Sequence, residues 1–226
     1  DTLLSEIEGF YKNDNKPRFS PFFIPKIISD IAAGHISMKY GFRGPNYATV
    51  SACASSTNAI IDAYNYIKLG KANAFVTGGS EAAINEAGVG GFGSMQAISR
   101  NNDNYKTASR PFCKTRDGFV MGEGGGALIL EDYDHAVKRG ANIIAEIVSG
   151  GMSADAYHIT APDPEGNGAA LVMEKALKEA KINPEDVDYI NVHGTATPTG
   201  DVAELKGIHK VFGDHSFKLN ISSSKS

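Results

Sequence analysis

The chain has 226 residues, 42% of them hydrophobic and 21% charged, with a formal net charge of -4. That length and balance suit a globular protein with a sizeable core, and the acidic balance argues against a generic nucleic-acid binder. No apolar run approaches the roughly 18 residues of a membrane span, no signal-peptide pattern opens the chain, and two cysteines, Cys53 and Cys113, argue against a disulfide scaffold and for a reducing cytoplasm. Taken in order, Leu3, Leu4 and Ile7 recur at helical spacing, predicting a helix over 1–13. Ser20 to Pro25 lead into a second helix, with Pro25 in its first turn, Ile27, Ile28, Ile31 and Met38 on one face and Gly41 as its stop.

Tyr47 to Val50 read as a short strand, Ser51 to Ser56 are all small, and Ala59 to Leu69 read as a helix ending at Gly70. Cys53 therefore sits between strand and helix, where unpaired N–H groups and the positive end of the helix dipole favour an anion. This makes it a candidate nucleophile, against the plainer reading of a buried structural thiol. Small neighbours leave room for a substrate carbonyl to reach the sulfur.

Asn73 to Gly79 read as a buried strand, Gly88 to Gly93 as a glycine-rich loop, Asn101 to Asp117 as a long polar stretch and Ala127 to Leu130 as a strand. A short helix over 133–139 and a strand over 143–148 follow, with the one linker-like stretch near 139–143, and then a loop over 155–168. From there the pattern alternates: helix 169–181, strand 187–192, helix 201–212, strand 218–222. Strands alternating with helices of this length predict α/β layers around a largely buried sheet. Twenty-five glycines, well above the usual share of about 7%, require tight turns or close backbone approach at several places.

His193 leaves the apolar strand Tyr189-Ile190-Asn191-Val192 at the edge where open α/β sheets place ligands. Gly194, Thr195, Thr197 and Thr199 around it supply hydroxyls and backbone room for a polar ligand, and the competing reading is a surface histidine in a turn. Cys53 with His193 points to thioester or acyl chemistry, a thiolate nucleophile with an imidazole as proton donor or hydrogen-bond partner. Their separation of 193 − 53 = 140 residues also falls in the window of papain-like hydrolases. The chain, however, has no tryptophan and lacks the local signature that family carries around its cysteine. The run Gly88-Val89-Gly90-Gly91-Phe92-Gly93 matches the dinucleotide pattern literally but lacks a strand before it. His35, His135, His158, His209 and His215 lack metal-ligand spacing. Lys225 leaves a strand end like His193, either as an ordinary solvated lysine or as an ion-pair partner for Asp201 or Glu204.

Taken together, Ser51-Ala52-Cys53-Ala54-Ser55, the glycine run 88–93, Arg110-Pro111-Phe112, the stretch from Arg116-Asp117-Gly118-Phe119 to Gly124, the stretch from His193 to Asp201, and Ser223-Ser224-Lys225-Ser226 resemble the β-ketoacyl-acyl carrier protein synthases in order and spacing. The resemblance runs along essentially the whole chain. It implies a thiolase-like five-layer α-β-α-β-α fold, of which residues 1–140 would be the later part of the first half and residues 141–226 the early part of the second. It implies a homodimer that works with acyl carrier protein and uses no cofactor or metal of its own, the phosphopantetheine arm arriving on the carrier. No nucleic acid or membrane partner is expected.

By the same resemblance Cys53 takes the acyl group as a thioester, and His193 matches the first of two histidines that bind the malonyl thioester and assist decarboxylation. Lys225 with Asp201 and Glu204 forms a polar network behind them. Thr195 and Thr197 match threonines that hydrogen-bond the phosphopantetheine arm, Gly88 and Phe92 the acyl-pocket wall, and Phe23 a residue contributed by the partner subunit. The family carries its second catalytic histidine and oxyanion-hole segment beyond the position of Ser226, so the resemblance implies that this chain alone is inactive. A chain-length-factor-like partner of the same fold is the non-catalytic alternative. Cys53 counts against it, since such partners generally replace the nucleophile.

Overall fold

The computed structural model describes residues 2–226. Among the described residues, eight α-helices and four strands run in the order α1 (Thr2–Lys12), α2 (Phe23–Ile27), α3 (Ile31–Tyr40), α4 (Ser55–Lys68), β1 (Ala74–Glu81), α5 (Glu86–Ser94), β2 (Gly124–Glu131), α6 (Tyr133–Lys138), α7 (Asn167–Ala180), β3 (Tyr189–Asn191), α8 (Gly200–Phe212) and β4 (Asn220–Ser222). β1 and β2 form an antiparallel ribbon with Ala74 opposite Glu131 and Glu81 opposite Gly124. β3 and β4 pair in parallel, Ile190 opposite Ile221, with α8 as the crossover between them.

The ribbon and α4 pack closely because side chains are missing where they meet. A Cβ on Gly79 would collide with Ser56 Oγ in the first turn of α4, and one on Gly78 (φ +150) would strike the Gly126 carbonyl of β2. Glycine at 79 lets the first turn of α4 sit on the ribbon, and glycine at 78 lets the two strands of the ribbon approach. Around the second sheet the core is Val192, Ile208 and Phe212, each under 7% exposed, with Met173 and Leu177 of α7, Ile190, Ile221 and Phe112 packed against it. Phe112 is the member from far up the chain, and it carries the loop after Asn101 to the edge of β3.

Several expectations are corrected. The single helix from Pro25 to Gly41 is two, because Ile28 is extended (φ -68, ψ 136) between α2 and α3; Gly41, at φ +69, does end the second. The glycine run 88–93 is not a loop but lies inside α5. Asn85 accepts a hydrogen bond from the Gly88 N–H at 2.9 Å and so caps the helix start, and that cap offsets part of the roughly 1 kcal/mol that each interior glycine costs against alanine. Residues 47–50 and 143–148 form no strand, since neither has a neighbour to complete a ladder. Nor is the sheet largely buried: β2 is exposed from Gly124 to Ile129. Asp1, which the helical reading included, lies outside the described residues.

Candidate active site

Cys53 is exposed and lies in a single 3-10 turn, Ala52–Ala54, that runs directly into α4. The residue before it, Ala52, adopts φ +50, a left-handed conformation that L-residues other than Asn, Asp and His seldom hold. Three side chains hold this bend. Ser55 Oγ donates to the Ala52 carbonyl at 2.7 Å and accepts from the Ser51 N–H at 2.8 Å, and Asn58 donates to Ser51 Oγ at 2.7 Å. The serines that the sequence suggested as mere space around the sulfur are thus the braces of the turn. Strained backbone of this kind collects where a side chain must be presented.

The second cluster sits where β3 and β4 end. Glu204, one turn into α8, accepts from the His193 N–H at 2.7 Å and the Gly194 N–H at 2.8 Å, fixing the backbone that carries the imidazole. Ser223, just past β4, donates to the Gly194 carbonyl at 2.8 Å, so the two strand-exit loops are tied together. Thr195 and Thr197 bring their hydroxyls to 3.1 Å from each other. Asp201 is buried, at 1% exposure.

The expected ion pair of Lys225 with Asp201 or Glu204 does not form among the described residues. Arg116 takes Asp201 instead, at 3.3 Å, and Glu204 is occupied by backbone N–H groups. Lys225 is exposed, held through its carbonyl by Ser109 Oγ at 2.5 Å, and acts on His193 through space. Partial burial of the ring and then the Lys225 ammonium push the His193 imidazole below its ordinary range, while Glu204 and Asp201 pull it back up. Sequence reasoning missed Arg116 as a participant, and its signal there was only the motif Arg116-Asp117-Gly118.

The remaining predicted residues stand on other elements. Gly88 and Phe92 both belong to α5. Phe92 lies edge-on to Phe119 with ring centres 5.2 Å apart, and a Cβ on Gly88 would collide with the Ala83 carbonyl. Phe23 of α2 stacks on Phe19 at 5.5 Å. The structure therefore gathers His193, Thr195, Thr197, Asp201, Glu204 and Lys225, while no hydrogen bond or ion pair among the described residues joins the Cys53 thiol to that group. The helix that follows Cys53 is tied to the later part of the chain through residues 148–150 and α7. Tyr64 of α4 donates to the Val148 carbonyl at 2.8 Å, Lys68 of α4 pairs with Glu179 of α7 at 2.6 Å, and Ile61 packs where a Gly150 Cβ would stand. The other thiol, Cys113, is held below its usual range first by the Thr115 hydroxyl, with Arg110 and Arg116 adding to it. Among the described residues no group of three His, Cys, Asp or Glu side chains could hold a metal ion, and no helix is long and apolar enough to cross a membrane.

Comparison with known families decides what this arrangement belongs to. Residues 5–136 match the family model described as beta-ketoacyl synthase, N-terminal domain, and residues 144–226 match its C-terminal domain. The chain belongs to the β-ketoacyl synthase family. It is 51% identical over 209 residues to a 3-oxoacyl-[acyl-carrier-protein] synthase 2 of Staphylococcus aureus, covering 92% of this chain and 52% of that protein. It is 49% identical over 211 residues to a mitochondrial 3-oxoacyl-[acyl-carrier-protein] synthase of Arabidopsis thaliana, covering 92% and 46%. The chain thus spans about half the length of the curated relatives it matches.

Among solved structures, a type II PKS acyl-carrier protein in complex with its ketosynthase bound to the hexaketide matches with a TM-score of 0.95 at 32% identity, over 99% of this chain and 56% of that one. A β-ketoacyl synthase from Burkholderia phymatum matches with a TM-score of 0.90 at 34% identity, over 100% and 54%. These likenesses carry the thiolase-like α/β fold, of which the chain is a part.

Proposed function

We propose that this chain is the central part of a 3-oxoacyl-acyl carrier protein synthase of the synthase II type, which elongates an acyl chain by two carbons. Its partner is acyl carrier protein bearing an acyl or malonyl thioester, and it works as a cytoplasmic homodimer with no cofactor of its own. The Cys53 thiolate attacks the acyl thioester carbonyl. The acyl–sulfur bond to the carrier breaks, and the departing thiolate takes up the proton that Cys53 gave up. Malonyl thioester then binds, its carbonyl oxygen accepting a hydrogen bond from His193. Loss of carbon dioxide leaves the electron pair on the α-carbon, which attacks the acyl-Cys53 carbonyl and expels the Cys53 thiolate, giving a 3-oxoacyl thioester. Thr195 and Thr197 receive the phosphopantetheine arm, Gly88 and Phe92 wall the acyl pocket, Phe23 reaches the pocket of the partner subunit, and Asp201, Glu204 and Lys225 set the position and charge of His193.

The observation that carries this reading is the exposed Cys53 on its braced, strained turn at the head of α4, in a chain of this family. Intact-mass spectrometry of the full-length enzyme after incubation with acyl carrier thioester tests it. The unsubstituted protein gains one acyl mass and Cys53→Ala gains none, whereas an adduct of equal yield on Cys53→Ala overturns the assignment.

A further inference from the structure

Asp201 is the most buried charged group described in the molecule, and what surrounds it differs from the expected lysine network. Its two carboxylate oxygens accept from two backbone N–H groups, one distant in sequence and one local: Phe112 at 2.7 Å and Ala196 at 3.1 Å. Both donors belong to non-glycine residues in left-handed conformations, Phe112 at φ +63 and Ala196 at φ +64. Such a conformation is strained for a residue with a side chain and persists only where its surroundings over-determine it.

Arg116 completes that over-determination. Its guanidinium pairs with Asp201 through Nε at 3.3 Å and donates its hydrogen bonds to three carbonyls: Nε to Thr197 at 3.0 Å, one terminal nitrogen to Pro198 at 2.5 Å and the other to Cys113 at 3.0 Å. Two residues on, the Gly118 N–H donates to the Ala196 carbonyl at 3.1 Å. Ala196, with no exposed surface, is therefore held at both its N–H and its C=O, in the middle of the loop that bears His193, Thr195 and Thr197.

We infer that Arg116 is a positioning residue for the condensation, acting through Asp201 and the Thr197–Pro198 carbonyls to hold the loop from His193 to Pro198 against the loop from Arg110 to Gly118. The planar guanidinium suits the task, since its donors fork toward several acceptors at once, whereas an ammonium would serve Asp201 and leave carbonyls unpaired. Removing its charge also leaves Asp201 buried without its cation, which is the costly way to break such a pair. Because Cys53 lies on the turn leading into α4 and not on this loop, the clamp governs the step that uses His193 and leaves the acylation step alone.

The inference rests on the proposed condensation, and the full-length enzyme tests the two separately. In Arg116→Gln, acylation of Cys53 by acyl carrier thioester stays within about threefold of the unsubstituted enzyme. The condensation kcat falls on the order of 100-fold, the loss that a misplacement of about 1 Å produces, with KM little changed. Arg116→Lys recovers part of that loss and leaves a deficit of about tenfold; it also decides the matter if Arg116→Gln does not fold. Condensation within twofold of the unsubstituted enzyme in either variant overturns the inference, and so does an equal fall in acylation and condensation. If the unsubstituted enzyme never acylates Cys53, it is the condensation reading that fails. The clamp is then judged by hydrogen exchange at the Phe112 and Ala196 amides, which Arg116→Lys accelerates at least tenfold if the clamp exists and leaves unchanged if it does not.

Discussion

The imidazole of His193 stands near one cation and two anions, and their signs decide how it titrates. Partial burial disfavours the imidazolium most and Lys225 adds to that, while Glu204 and Asp201 favour it. Replacing Lys225 by Met removes the repelling charge, so the native pKa of His193 rises toward the ordinary histidine value. Replacing Glu204 by Gln removes an attracting charge and lowers it. A histidine-resolved NMR titration of the three proteins checks both directions, and movement of the midpoint in the opposite sense in either variant would refute this electrostatic account. His193, Asp201 and Glu204 could be picked out from the sequence because they follow a strand and open a helix in a stretch of glycine and threonine. Arg116 and the bend at Ala52 could not. Most of the acceptors of Arg116 are main-chain carbonyls, and the strain at Ala52 is a backbone angle; neither is written in residue type.

At the level of elements, α7 and α8 could be read to within two residues because their apolar periodicity is clean and their ends carry stop signals. Gly213 (φ +50) follows α8, and Asn183-Pro184 stand just past α7, whose helix ends at Ala180 with Lys181 left-handed at φ +59. What periodicity could not show is how closely the two helices pack. A Cβ on Gly207 of α8 would stand 2.9 Å from the Ala169 Cβ and 2.9 Å from the Gly166 carbonyl, and one on Gly166 would strike the Ala203 carbonyl. Small residues on both sides let the helices approach, which brings Ile208 and Phe212 onto Val192 directly behind His193. Gly207→Val therefore forces the pair apart and destabilises the fold by about 1–3 kcal/mol, the usual cost of overpacking. Urea denaturation reads this as a lower midpoint at unchanged slope, and an unchanged midpoint would mean that the helices separate freely. The opposite failure of reading occurred at α5, where four glycines argued for a loop and the Asn85 cap with its tertiary contacts prevailed.

Across the whole molecule, the accessible surface is 15565 Å² for a chain of 23.9 kDa, against about 9,900 Å² for a compact monomer of that mass. The excess is not spread evenly. It includes Ile144 at 94% exposure in the stretch expected to be a strand, Val50 at 80% in the other such stretch, and Ile129 at 73% on the open face of β2. The sequence pattern marked all three as interior, and in this chain they lack a neighbour, which is why sheet burial was the least legible feature although the residues that want it were plain. Relatives about twice as long have the additional chain to cover such faces. Apolar faces of this extent on an isolated chain drive association and bind hydrophobic dyes. The 226-residue chain expressed alone should elute from a sizing column as a concentration-dependent oligomer and enhance anilinonaphthalene sulfonate fluorescence several-fold more than the full-length protein at equal molarity. A monomer that leaves the dye dark would mean that these faces close on one another in solution.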